Sequence, residues 1–137
     1  MDAKELIMAS GSYLLDTNIV IAMFKGDAST KKHLEQAEQV FLSVTSLGEL
    51  YYGALHSMQV EKNMAKLREL SSILTVLPCD SVTAYQYGLI KNTLRKKGRP
   101  IPENDIWIAA CAIQNSLVLV TRDDHFTNVE NLQVDCW

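Results

Sequence analysis

Asn104-Asp105-Ile106-Trp107-Ile108-Ala109-Ala110-Cys111-Ala112-Ile113 and, a few residues on, Leu117-Val118-Leu119-Val120 decide the fold class. The first run is apolar nearly all round, so it predicts a buried helix from Asn104 to Asn115. The second is short, continuous and apolar, and predicts a strand buried on both faces. A helix with no wet face feeding a strand with no wet face implies a parallel sheet covered by helices.

The rest of the chain alternates in the same way. Tyr13-Leu14-Leu15 reads as a first strand, and Thr17 to Lys25 as a helix closed by Gly26. Ser29 or Thr30 caps a second helix reaching about Gln39. Val40 to Val44 is a second strand. Ser46-Leu47-Gly48-Glu49 has the capping-box pattern and opens a further helix. An amphipathic stretch runs from about Glu61 to Leu70. Ile73 to Leu77 is a third strand, stopped by Pro78. Asp80 or Ser81 caps a long helix ending near Lys97, with Gly98 past its end. A short turn or helix spans Arg122 to Phe126, and a last strand lies around Leu132 to Val134. With right-handed crossovers this is an α/β chain, a three-layer α/β/α sandwich around a mostly parallel sheet. Residues 1–12 read as a flexible N-terminal lead-in, and 13–137 as one domain.

The chain has 137 residues, 47% hydrophobic and 21% charged, which excludes intrinsic disorder and a disulfide scaffold. Its longest apolar run, Ile106 to Ile113, is far too short to span a bilayer. The net charge of −3 excludes nucleic-acid binding by bulk positive charge, but not by a local basic strip. Cys79, Cys111 and Cys136 form neither a zinc pattern nor an obvious pair, and a reducing cytoplasm fits them best.

In a parallel sheet, functional groups collect beyond the carboxyl ends of the strands. Asp16 follows the first strand, Glu49 lies one turn into the helix after the second, and Asp123 lies just past the fourth. Asp105 heads the buried helix, which begins at that same edge. Each has a local alternative: Asp16 as a cap for the Asn18 or Ile19 amide, Glu49 as the capping-box partner of Ser46, Asp105 as a first-turn complement to the helix dipole, and Asp123 in a turn with Asp124. Spacing does not choose between Asp123 and Asp124. Several independent caps have no reason to converge, whereas carboxylates that do converge repel unless protonated or shared by a cation. Oxygen-only donors select Mg²⁺ or Mn²⁺, which suit phosphodiester hydrolysis. Asp80, similar in type, reads as a helix cap.

Around these acids the sequence resembles the PIN-domain ribonucleases, and specifically the VapC toxins of type II toxin–antitoxin modules. Tyr13 to Asn18 is similar to their opening motif, Ser43 to Gly53 to the second, Pro100 to Ala110 to the third and Leu119 to Phe126 to the fourth. The resemblance implies an endoribonuclease that leaves a 5′-phosphate and a 3′-hydroxyl. It implies Asp16, Glu49, Asp105 and Asp123 as ligands of Mg²⁺ or Mn²⁺, with Thr121 helping to orient water or metal. It also implies a homodimer and a cognate antitoxin lying in or beside the acidic groove, for which Leu50, Tyr51, Tyr52 and Leu55 offer apolar contact if they are not simply core.

Lys91, Arg95, Lys96, Lys97 and Arg99 form a basic cluster at the end of the long helix, and Lys62, Lys66 and Arg68 a weaker one. The first is read as an RNA-positioning rim or, alternatively, as a solvated helix end. His33, His56 and His125 show no general-base pattern, and His125 is taken as structural. Two rival functions stand beside the nuclease. One is a phosphatase-like acid-site enzyme, whose pattern requires an aspartate where Asn18 stands; the other is a catalytically silent interaction module.

Overall fold

The computed structural model describes residues 11–137. Five parallel strands form one sheet: β1 (Ser12–Leu15), β2 (Gln39–Ser43), β3 (Thr75–Leu77), β4 (Val118–Val120) and β5 (Val134–Asp135), in the order β3-β2-β1-β4-β5. The helices are α1 (Thr17–Phe24), α2 (Ala28–Gln36), α3 (Val44–Leu55), α4 (Val60–Ile73), α5 (Ser81–Lys96) and α6 (Glu103–Gln114), with a 3₁₀ turn at Asp124–Asn128. Ser12, placed by the sequence in the lead-in, already belongs to β1; residues 1–10 of that lead-in lie outside the described residues.

Alternation of side chains along the strands makes the three layers. Leu14 and Leu119 face one side, with Ile90, Leu94, Ile106 and Ala109 of α5 and α6. Leu15 and Val120 face the other, with Ile19, Val20, Leu50 and Leu67 of α1, α3 and α4. All four strand residues are 0% exposed, and burying each such side chain contributes about 1.5–3 kcal/mol. The all-apolar reading of β4 and of α6 therefore holds: Ile106 and Ile108 to Ala112 are buried.

Several boundaries differ from the sequence reading, each for a local reason. Asp27, not Ser29 or Thr30, caps α2, its carboxylate accepting from the Thr30 amide at 2.9 Å. Ser43 caps α3 and accepts from the Ser46 amide at 3.0 Å. Val44 thus begins the helix instead of ending β2, and Glu49 is not the capping-box partner of Ser46. Ile73 stays in α4, and β3 starts at Thr75. Asp80 caps α5 as expected, in a full capping box with Thr83.

Strand order sets the site's position. From β1 the chain winds outward through β2 and β3, then returns to place β4 on the other side of β1. The crevice at such a reversal is open at the carboxyl edge. Leu15 pairs in register with Val120, so Asp16 and Thr121 emerge side by side, and the Asp16 amide donates to Val120 O at 2.9 Å.

Candidate metal centre

Asp16 is 5% exposed, and both of its oxygens are engaged. Oδ1 accepts from the Thr17 amide at 2.8 Å, so Asp16 does cap α1, through an amide one residue earlier than the sequence suggested. Oδ2 accepts from the Thr121 hydroxyl at 2.7 Å. Thr121 Oγ1 in turn accepts from the Asp123 amide at 3.0 Å, which ties the turn after β4 to the end of β1. Glu49 reaches in from the middle of α3, where its Oε1 accepts from the Thr17 hydroxyl at 2.8 Å. Asp105, in the first turn of α6, has a side chain 15% exposed. Asp123 caps the 3₁₀ turn, its Oδ1 accepting from the His125 amide at 3.0 Å.

The four acids act on one another electrostatically, and Asp105 and Asp123 offer donor atoms within 4.8 Å of each other and of His125. Burial raises the Asp105 carboxyl to about 6; the charges of Asp16, Asp123 and Glu49 add to the rise, while a hydrogen bond from His125 opposes it. Burial also raises Asp16; hydrogen bonds from Thr121 and Thr17 pull it back, and Glu49 and Asp123 push it further up. Carboxylates held this close without a counter-charge are driven toward protonation. Hard anionic oxygens arriving from two helices and two strand ends fit an oxygen-loving divalent cation. Asp123 rather than Asp124 faces Asp105: an Asp123 oxygen lies within 4.8 Å of donor atoms of Asp105 and His125, whereas Asp124 is exposed.

Two depressions meet at Glu49. One is an open cleft lined by Val44, Thr45, Tyr52 and Asn104. The other is an apolar groove lined by Ile21, Phe24, Leu50, Ala54 and Leu67, with Lys66 at its edge. The proposed contact residues divide accordingly: Leu50 is buried and Tyr51 half-buried, while Tyr52 and Leu55 are exposed. The basic cluster is partly neutralised. Lys91 pairs with Glu103 and donates to the Tyr87 hydroxyl, and Lys97 pairs with Glu130 at 2.6 Å. Arg95, Lys96 and Arg99 are exposed and make no ion pair among the described residues.

Two participants escaped the sequence reading. Thr17 holds Glu49; its position directly after Asp16 was the available signal. His125 approaches Asp105 and Asp123, and only the fold brings these residues together.

The PIN domain model matches residues 13–132. A Haemophilus influenzae protein, Ribonuclease VapC2, is 38% identical over 128 residues, covering 91% of this chain and 97% of its own. A Shigella flexneri protein, tRNA(fMet)-specific endonuclease VapC, is 34% identical over 129 residues with the same coverage of 91% and 97%. Among solved structures, VapBC2 from Rickettsia felis bound to a DNA fragment from their promoter superposes with a TM-score of 0.85 at 32% identity, covering 91% of this chain and 98% of the other.

Proposed function

The chain belongs to the PIN domain family, and from that premise we propose that it is an Mg²⁺- or Mn²⁺-dependent endoribonuclease, the toxin of a toxin–antitoxin pair. The observation that carries this is the convergence of Asp16, Glu49, Asp105 and Asp123, with Asp16 and Asp105 both pushed up by burial and by the charges around them.

These four carboxylates would hold the cation. Once bound, it supplies Lewis-acid stabilisation of phosphate charge and a water acidified toward hydroxide. The protein's own part is positional. Thr121 fixes the angle of Asp16, Thr17 fixes Glu49, and the open cleft beside Tyr52 and Asn104 admits the RNA strand. Arg95, Lys96 and Arg99, with Lys91 and Lys97 less available, hold the backbone by phosphate contact and read no sequence. Hydrolysis breaks the bond between phosphorus and the 3′ oxygen, leaving a 5′-phosphate and a 3′-hydroxyl.

The nuclease domain is taken as residues 13–137. The VapBC complexes that this chain resembles support a cognate antitoxin as partner, and a homodimer is proposed as the working state. Exposed Tyr52 lines the cleft available to the antitoxin, and Leu55, on the same helix, is exposed as well. The three cysteines carry free thiols, which suits the cytoplasm where RNA is found. No helix among the described residues is long and apolar enough to cross a membrane. Asn18, standing where a phosphatase would need an aspartate, is occupied in accepting the Arg122 amide at 3.3 Å.

The test is cleavage of a total RNA pool. Glu49→Gln keeps an acceptor for the Thr17 hydroxyl and Asp16→Asn keeps one of its two acceptors, while each removes a ligand charge. Both variants should fold and be inactive, and excess EDTA should silence the wild type until Mg²⁺ or Mn²⁺ is restored. Undiminished cleavage by either variant, or in EDTA, overturns the reading. Cation binding without cleavage of any RNA leaves the silent interaction module.

A further inference from the structure

The ring of His125 stands against the acids. Its Nδ1 lies 3.0 Å from Asp123 Oδ1 and 3.5 Å from Asp105 Oδ2. One donor atom from each of the three residues lies within 4.8 Å of the other two. Neighbouring ligands of an octahedral cation with ~2.1 Å bonds sit ~3.0 Å apart, and opposite ones ~4.2 Å apart. The separations around His125 fall in that range without rearrangement.

A purely structural role does not account for this ring. Its side chain is 52% exposed, whereas its neighbour Phe126 is 0% exposed and does the packing for the turn. What fixes His125 is the site itself: its own amide donates to Asp123 Oδ1, the same oxygen its ring approaches. Asp105 arrives from α6 and Asp123 from the end of β4, and Nδ1 of His125 faces a carboxylate oxygen of each.

We propose that His125 is a ligand of the cation at this centre, contributing a neutral imidazole nitrogen through Nδ1 alongside the carboxylates. The inference rests on the metal-dependent reading above and refines it. An all-oxygen site suits Mg²⁺, whereas an imidazole tilts affinity toward transition-metal ions such as Mn²⁺ and Co²⁺. The competing role is that Nδ1–H bridges two carboxylates as a hydrogen-bond donor and leaves when the cation enters. That role predicts no bond between nitrogen and metal.

The deciding experiment uses the whole chain loaded with Mn²⁺ alone and read by pulsed electron paramagnetic resonance. The wild type should show modulation from a directly bound ¹⁴N nucleus. His125→Ala should lose it, and His56→Ala, altered away from the acids, should keep it. Mn²⁺ affinity of His125→Ala should fall roughly tenfold or more, with a smaller loss for Mg²⁺. Should His125→Ala fail to fold, wild-type protein with ¹⁵N-labelled histidine replaces it, and the modulation should change to that of ¹⁵N. Mn²⁺ bound without nitrogen coupling, or coupling that survives in His125→Ala, overturns the proposal and leaves the metal-dependent nuclease standing. Failure of the wild type to bind Mn²⁺ overturns both.

Discussion

The hydroxyl of Thr121 donates to Oδ2 of Asp16 at 2.7 Å, joining residues 105 positions apart that emerge next to each other from the adjacent strands β4 and β1. The bond is buried and ends on a carboxylate, which places it among the stronger hydrogen bonds of a protein. It also fixes which lone pairs of Asp16 remain directed into the acidic cluster. Thr121→Val keeps the shape of the side chain and removes the donor. Mn²⁺ affinity and RNA cleavage should each fall roughly 10–100-fold, and Thr121→Ser should recover most of the loss. Titration calorimetry with Mn²⁺ checks the affinity, and a valine variant that binds Mn²⁺ like the wild type would remove Thr121 from the site.

Metal-free protein should lose stability as pH rises from about 4 toward neutrality. Asp105 is lifted from an ordinary 3.8 to about 6, and Asp16 is displaced in the same direction. The folded state therefore keeps protons that the unfolded state has already released. The associated stability is complete below about 3.8 and is lost as pH passes through 6. Asp27 and Asp80 are displaced downward, so their contribution holds above about 4 and falls away only in stronger acid. Melting in EDTA should give a higher Tm at pH 5 than at pH 7.5. Asp105→Asn should flatten the difference by removing the group, despite the nearby Asp16, Glu49, Asp123 and His125. Millimolar Mg²⁺ should raise Tm chiefly at the higher pH, where the acids are free to bind it. A Tm that climbs from pH 5 to 7.5 in EDTA would contradict the crowding of the acids.

Much of this arrangement is legible in the sequence itself. Leu14-Leu15 and Val118 to Val120 announce buried strands because both faces of the sheet are covered, and Asp16 follows directly on the first. What sequence could not decide was competition between near-equivalent neighbours. Ser43 and Ser46 both suit a helix start; Ser43 prevails because β2 ends there, which moves Glu49 one turn deeper into the helix than a capping box requires. Asp123 and Asp124 are adjacent acids, and only the turn after β4 points one of them inward. His125 reads as structural in the sequence for a different reason: its partner Asp105 lies 20 residues earlier and two elements away, and no local pattern encodes that meeting.

The basic residues near the end of α5 should not contribute equally to RNA binding. Lys91 and Lys97 are already paired with Glu103 and Glu130, so a phosphate must displace a carboxylate to reach them. Arg95, Lys96 and Arg99 carry no such partner among the described residues. In an inactive Glu49→Gln background, Lys96→Ala or Arg99→Ala should weaken binding to single-stranded RNA. Each should also reduce the slope of log affinity against log salt by about 0.7, the share of one neutralised phosphate. Lys91→Met should change the slope less. Fluorescence anisotropy across a salt series measures both quantities. Equal slopes for all of these variants would mean that the helix end is merely a solvated face.

Phe126 links the stability of the core to the geometry of the centre. Its ring is 0% exposed, in the cluster that includes Leu14, Ile106 and Leu119, yet it sits one residue from His125 and three from Asp123. Removing the ring leaves a cavity under the 3₁₀ turn, and Phe126→Ala should cost roughly 3–5 kcal/mol. That is a large share of the roughly 5–15 kcal/mol typical of a domain, so this variant should be partly unfolded near body temperature. Phe126→Leu keeps more of the buried volume and should cost about 1.5 kcal/mol or somewhat more, leaving a folded protein. In that folded variant the turn is free to settle toward the core, carrying Asp123 and His125 away from Asp105. Urea denaturation should therefore show a modest loss of stability, while Mn²⁺ affinity falls by more than the stability change alone explains. Unchanged Mn²⁺ affinity in Phe126→Leu would show that the turn is held in place by its own hydrogen bonds, from Asp123 and Thr121, and not by the ring beneath it.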